Sequence, residues 1–197
     1  GVAQDSSSNL NTASTSTDNT VTYDVTAPTV TINQAGGQAD ATNAAIINFT
    51  AVFSKPVTGF TGVDVRLTGT AGATTAVVTG SGTTYNVAAS GMAGSGTVIA
   101  AVLAGGAQDS AGNGNAASTS TDNTVLYDIT LPTVTINQAA AQVDPTNVSP
   151  INFTVVFSEP VTGFTNAGVV LTGTAGAAAW LALTCLIRLV HVNTVAS

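Results

Sequence analysis

Ile47–Thr61 reads INFTAVFSKPVTGFT, and Ile151–Thr165 reads INFTVVFSEPVTGFT. In the first copy Ile47, Phe49, Ala51 and Phe53 alternate with Asn48, Thr50 and Val52. A period of two is the signature of a strand with one buried face, so the phenylalanine face should point into a core. Pro56 and Gly59 then punctuate the run as turn residues do. The stretch thus predicts β structure, and its return predicts that the β structure is modular.

The return is at a fixed offset of 104 residues and extends in both directions. DVTAPTVTINQA from Asp24 becomes DITLPTVTINQA from Asp128, and AQDSSSNLNTASTSTDNTVTYD from Ala3 becomes AQDSAGNGNAASTSTDNTVLYD from Ala107. Without a gap, 35 of the 50 positions in 24–73 match 128–177, and 16 of the 21 in 3–23 match 107–127. Such self-similarity predicts a tandem array with one structural module per repeat. Arrays of this kind set distance, stiffness or valency more often than they perform chemistry. The expected division is the end of a preceding repeat over 1–23, a complete repeat over 24–127, and the first part of the next over 128–177. A divergent apolar tail follows over 178–197.

Seven segments of the complete repeat carry strand patterns between Gly, Pro, Asn and Ser turns: 29–33, 46–54, 63–68, 76–79, 83–88, 96–103 and 123–127. No stretch of the repeat has helical spacing with caps. The expected fold is therefore all-β: an immunoglobulin-like seven-stranded β-sandwich in tandem, one complete module flanked by partial ones. Its expected core is Val30, Ile32, Phe49, Phe53, Phe60, Val65, Leu67, Tyr85, Val87, Val98 and Val102. Pro28 and Pro132 sit in the joints TYDVTAPT and LYDITLPT, where they hold the preceding residue extended and make the joint semi-rigid.

Composition narrows the function. Only 7% of the residues are charged, against roughly 25% in an ordinary soluble protein. Three basic residues against ten acidic ones give a net charge of −7, which leaves little to neutralise phosphates. Nucleic acid and anionic lipid are thereby disfavoured as partners, while the carboxylates stay free for cations. The one cysteine, Cys185, excludes a disulfide within the chain, and no apolar run reaches the ~20 residues of a membrane helix.

PTVTINQ, FSEPVTGFT, the AQDSAGNGN loop and the closing TDNTVLYD together resemble the bacterial immunoglobulin-like repeats of very large secreted or surface adhesins. The resemblance spans about residues 1–177. It implies an extracellular spacer between a cell-surface anchor and a distal binding region, with neighbouring repeats as its partners. It also implies calcium stiffening at module junctions.

The acids can be read in that light. Calcium needs six to eight oxygens, and the loop Asp109-Ser-Ala-Gly-Asn113-Gly-Asn115 offers a carboxylate, two amides and flexible glycines. The expected junction is Asp109, Asn113 and Asp128, with Asp144 or Asn147 from the following repeat. The earlier joint would use Asp5, Asn9, Asp24 and Asp40 in the same way. The competing reading is equally weighted: Asp, Asn and Gly populate turns because their side chains cap backbone amides. Lys55, replaced by Glu159 in the next repeat, reads as a surface position and not a ligand.

No catalytic arrangement is expected. His191 lies six residues after Cys185 in the tail with no orienting acid, and no nucleophile, phosphate-loop or zinc motif occurs. Two other functions fit the composition: a carbohydrate- or protein-binding accessory module of a secreted enzyme, or adhesion by the Thr-rich faces themselves. The tail, AAWLALTCLIRLVHVNTVAS, replaces the pattern of strands four to seven, and would cover an open sheet edge as a strand or a short helix. Because 1–23 carries a last strand without its module and 128–177 a module without its last strand, frayed ends are the default expectation and head-to-tail self-association is the alternative.

Overall fold

The computed structural model describes residues 2–176, 178–186 and 189–195. The chain divides into two compact units, Gly1–Ile129 and Thr130–Ser197. Both are built from antiparallel sheets, and no α-helix occurs among the described residues. In the first unit two sheets pack on a shared core.

The first unit holds β1 (Val30–Gln34), β2 (Ile47–Val57), β3 (Val65–Thr68), β4 (Thr75–Ser90), β5 (Gly96–Val102) and β6 (Thr124–Tyr127). They form two sheets, β1-β2-β4 and β3-β5-β6. The alternation in β2 works as its spacing demands: Ile47, Phe49, Ala51 and Phe53 are buried, whereas the residues between them are half-buried or exposed. Residues from both sheets share one core, in which Phe49, Ile32, Val87, Val98 and Val125 are fully enclosed. Of the expected core only Leu67 stays partly exposed, at its rim. Phe53, Phe60 and Tyr85 meet edge to face with ring centroids 5.2–5.7 Å apart, and the Tyr85 hydroxyl donates to the Val57 carbonyl at 2.8 Å. That bond lets a polar ring close an apolar core.

The strand count differs from the sequence expectation. The segments 76–79 and 83–88 fall within one strand element, β4, so the unit has six strand elements where seven are expected. The expected break is nevertheless present inside that element. Gly80 has φ +122°, and a Cβ there would lie 2.7 Å from the Thr84 carbonyl oxygen and 2.9 Å from the Tyr85 Cα, an approach that an extended run does not allow, so Gly80-Ser81-Gly82 turns the chain as its composition predicts. The register with β2 shifts at the same level, between Val52 and Val57, where Pro56 has no N–H to give.

Residues 116–122 are not a regular strand, yet they tie the two sheets together. Ala116 N and Thr119 N donate to the Pro28 and Val30 carbonyls, and Gln34 N donates to Asp122 O. This strip runs parallel to β1, while Ser118 bonds Val102 of the other sheet in both directions.

The second unit holds β7 (Val134–Gln138), β8 (Ile151–Phe157), β9 (Ala178–Leu186) and β10 (Leu189–Val195), in the order β7-β8-β10-β9. Val134 pairs with Phe157 as Val30 pairs with Phe53, so the repeat offset survives as register. The tail forms strands: β10 pairs with β8 where β4 pairs with β2. Phe153 opposes Val192 as Phe49 opposes Val87, one residue away from the 104-residue offset. An alternating apolar stretch has therefore taken up the edge of a strand whose own partner sequence is replaced.

Candidate functional site

The structure brings three of the expected calcium ligands together, but around a different cation. Lys55, near the end of β2, donates from Nζ to Asp24 Oδ2 at 2.7 Å, to the Thr26 carbonyl at 2.6 Å and to Asp109 Oδ2 at 3.0 Å. An ammonium has three protons to give, so all of them are used. Asn113 Nδ2 reaches across to the Asp24 carbonyl at 3.1 Å and also bonds the Asp109 carboxylate. The cluster thus pins the 24–26 joint against β2 and the 109–113 loop.

The loop is shaped by its own side chains. Asp109 Oδ1 accepts the amides of Ala111 and Asn113, each at 3.0 Å, which closes the turn. Its side chain is only 3% exposed. Asn115, also buried, accepts from Ala107 N and donates to the Leu103 and Ala116 carbonyls. The turn-capping reading of these residues is therefore what the geometry realises.

Charge follows geometry. Burial pushes the Asp109 carboxyl up, but the bonds from Asn113, Lys55 and the Ala111 amide more than reverse this and hold it well below the usual carboxylate range. The Lys55 bond and the Thr26 amide likewise lower Asp24, and the two carboxylates raise Lys55. At neutral pH the cluster holds one internal cation and two anions.

Calcium does not fit this donor set. The oxygens of Asp24, Thr26 and Asp109 already converge on an ammonium, and a dication beside it would meet like charge. Reading Lys55 as a surface position and not a ligand left out its part as the cation of the cluster. The available signal was the charge reversal to Glu159 within a turn that is otherwise unchanged between repeats.

The other expected ligands have separate employment. Asp40 Oδ1 accepts the Leu126 amide at 2.8 Å, and Asp128 Oδ1 accepts from the Ser95 hydroxyl at 3.1 Å. Asp5 closes its own exposed turn, accepting the amides of Ser7 and Asn9 and the Asn9 side chain, which lowers its pKa. It repeats the Asp109 turn but does not join Asp24. Asp144 and Asn147 are exposed in the loop between β7 and β8. The Cys185–His191 pair lies outside the residues whose side chains are described. Among the described residues no cluster of three or more His, Cys, Asp or Glu side chains could hold a metal, and no helix is long and apolar enough to cross a membrane. No protein-family model matches the chain, and no curated protein matches it.

Proposed function

We propose that the chain is a structural spacer: immunoglobulin-like repeats of a secreted or surface-anchored bacterial adhesin that hold a distal region at a distance. The observation that carries this reading is the gapless 104-residue repeat, which spans joints, turns and core positions alike. Joint residues that are fastened to the body of the module support it as well. Lys55 uses every proton it has to tether the 24–26 joint, and a tethered joint transmits load instead of swivelling. In this reading the stiffening at that joint comes from lysine. Calcium is reserved for repeats that carry an acid at the lysine position, as Glu159 does.

Small-angle scattering tests it. One, two and three further copies of 24–127 are inserted after Tyr127, and the maximum dimension is measured with millimolar calcium and with a chelator. A spacer lengthens by a constant increment per copy. A dimension that grows only as a compact body does would overturn the reading.

A further inference from the structure

We propose that residues 12–23 of one copy of this chain dock on the uncovered sheet face of the Thr130–Ser197 unit of a second copy. The proposal goes beyond the spacer reading and does not depend on it.

The acceptor is exposed where its twin is buried. β7 has the same sequence as β1, VTINQ, yet Val134 and Ile136 are 55% and 49% exposed, against 2% and 0% for Val30 and Ile32. Beside them lies an open cleft of about 340 Å³ lined by Val134, Ile136, Val155, Phe157, Phe164 and Val170.

The donor is exposed too. Residues 12–23, TASTSTDNTVTY, repeat 116–127, AASTSTDNTVLY, and differ only at Thr12/Ala116 and Thr22/Leu126. In the first unit 116–127 does three things. It runs parallel along β1 with Thr119 opposite Thr31; it gives the amides of Thr121 and Asp122 to Asn33 Oδ1; and it buries Val125 and Tyr127 in the core. The corresponding Val21 and Tyr23 are 93% and 88% exposed.

Donor and acceptor therefore carry the two halves of an arrangement that the same molecule already builds once. The expected register follows from it: Thr15 opposite Thr135, the amides of Thr17 and Asp18 on Asn137 Oδ1, and Val21 and Tyr23 over the cleft. Leu126 N donates to Asp40 Oδ1, and Thr42 exchanges backbone bonds with Leu126 and Asp128. By the same correspondence Thr22 N would donate to Asp144 Oδ1, and Thr22 and Asp24 would bond Thr146. Asp144 thereby gains a role as a strand anchor. Each copy offers one donor and one acceptor, so the contact is heterologous, and copies add until the assembly closes into a ring.

Light scattering on the full chain tests this across a concentration series. The mass should rise from 19.3 kDa through successive multiples as concentration increases. The donor double variant Val21→Asp/Tyr23→Asp alters exposed residues only, and should stay monomeric alone. The acceptor variant Ile136→Asp should do likewise. Mixed together they should stop at twice the monomer mass, because only one productive contact remains. A peptide of residues 12–23 should dissociate wild-type oligomers without any substitution. Three outcomes would overturn the proposal: a wild type that stays at 19.3 kDa throughout, oligomers unaffected by the donor variant and the peptide, or residues 12–23 protected from hydrogen exchange in a dilute monomer. The last would mean that the segment is occupied within its own chain.

Discussion

β1 and β7 are the same five residues, and only one of them is inside the protein. Both pair with the following strand in the same register, yet the valine and isoleucine of β1 are enclosed and those of β7 face solvent. Local sequence therefore determined conformation and pairing, which depend on neighbours along and across one sheet. Burial depended on what lies over the face. In the first unit that cover is the sheet β3-β5-β6, while the strip 116–122 closes the edge of β1.

The comparison can be broken most forcefully in the core. Ile32→Ala should cost about 2–5 kcal/mol, the range for truncating an enclosed aliphatic side chain. Its twin Ile136→Ala should stay within about 0.5 kcal/mol, as a surface change does. Urea unfolding of the full chain, followed separately for each unit, measures both. Equal losses would mean that the β7 face is covered in solution, and would favour the docked state at the concentration used. Phe49→Ala extends the test and should cost about 3–5 kcal/mol in the first unit.

How much of this was legible in the sequence follows from the same physics. The alternation of Ile47 to Phe53 declared its inward face, and all the expected core residues except Leu67 are buried. The turn at Gly80-Ser81-Gly82 was legible by composition, and the tight approach of Gly80 to Thr84 realises it; the register shift in β2 between Val52 and Val57 was not, because it depends on how β2 meets β4. The cluster was half legible. Asp109 and Asn113 sit in one loop, so their meeting is local, whereas Asp24 and Lys55 reach them across 85 and 54 residues of chain. Nothing in residue type distinguishes an aspartate waiting for a metal from one that already holds an ammonium. Pairing Asp109 with Asp128, which instead meets Ser95, followed from that ambiguity.

A second pair sharpens the comparison at smaller scale. Asn115 and Asn11 occupy equivalent loop positions; the first is buried with three bonds, and the second is exposed with two. Asn115→Ala leaves backbone groups of Ala107, Leu103 and Ala116 without that partner, and should cost of order 2–3 kcal/mol. Asn11→Ala should be neutral within about 0.5 kcal/mol. Thermal unfolding of the two variants side by side decides it, and similar shifts would show that the N-terminal loop is packed in solution.

The smallest effect expected concerns the lysine clamp, and pH exposes it. Asp24 and Asp109 have folded pKa values below the ordinary 3.8, so their contribution is present above that value and is lost as pH falls through the lowered folded values. Lys55 is raised above 10.5, so its contribution is complete below that pH and is lost as pH rises through the higher folded value. Wild-type stability should therefore fall at both extremes, and Lys55→Met should remove the part of the alkaline fall that belongs to the clamp. Asp109 keeps its bonds from Ala111 and Asn113 in that variant, so much of the acid fall should persist. Lys55→Glu carries the comparison between repeats into a single unit. It gathers a third carboxylate beside Asp24 and Asp109, so the unfolding midpoint should drop at low salt and recover in millimolar calcium. A midpoint that drops and does not recover would remove calcium from the proposal for acid-bearing repeats, and would leave the ammonium as the only cation these oxygens are shaped to hold.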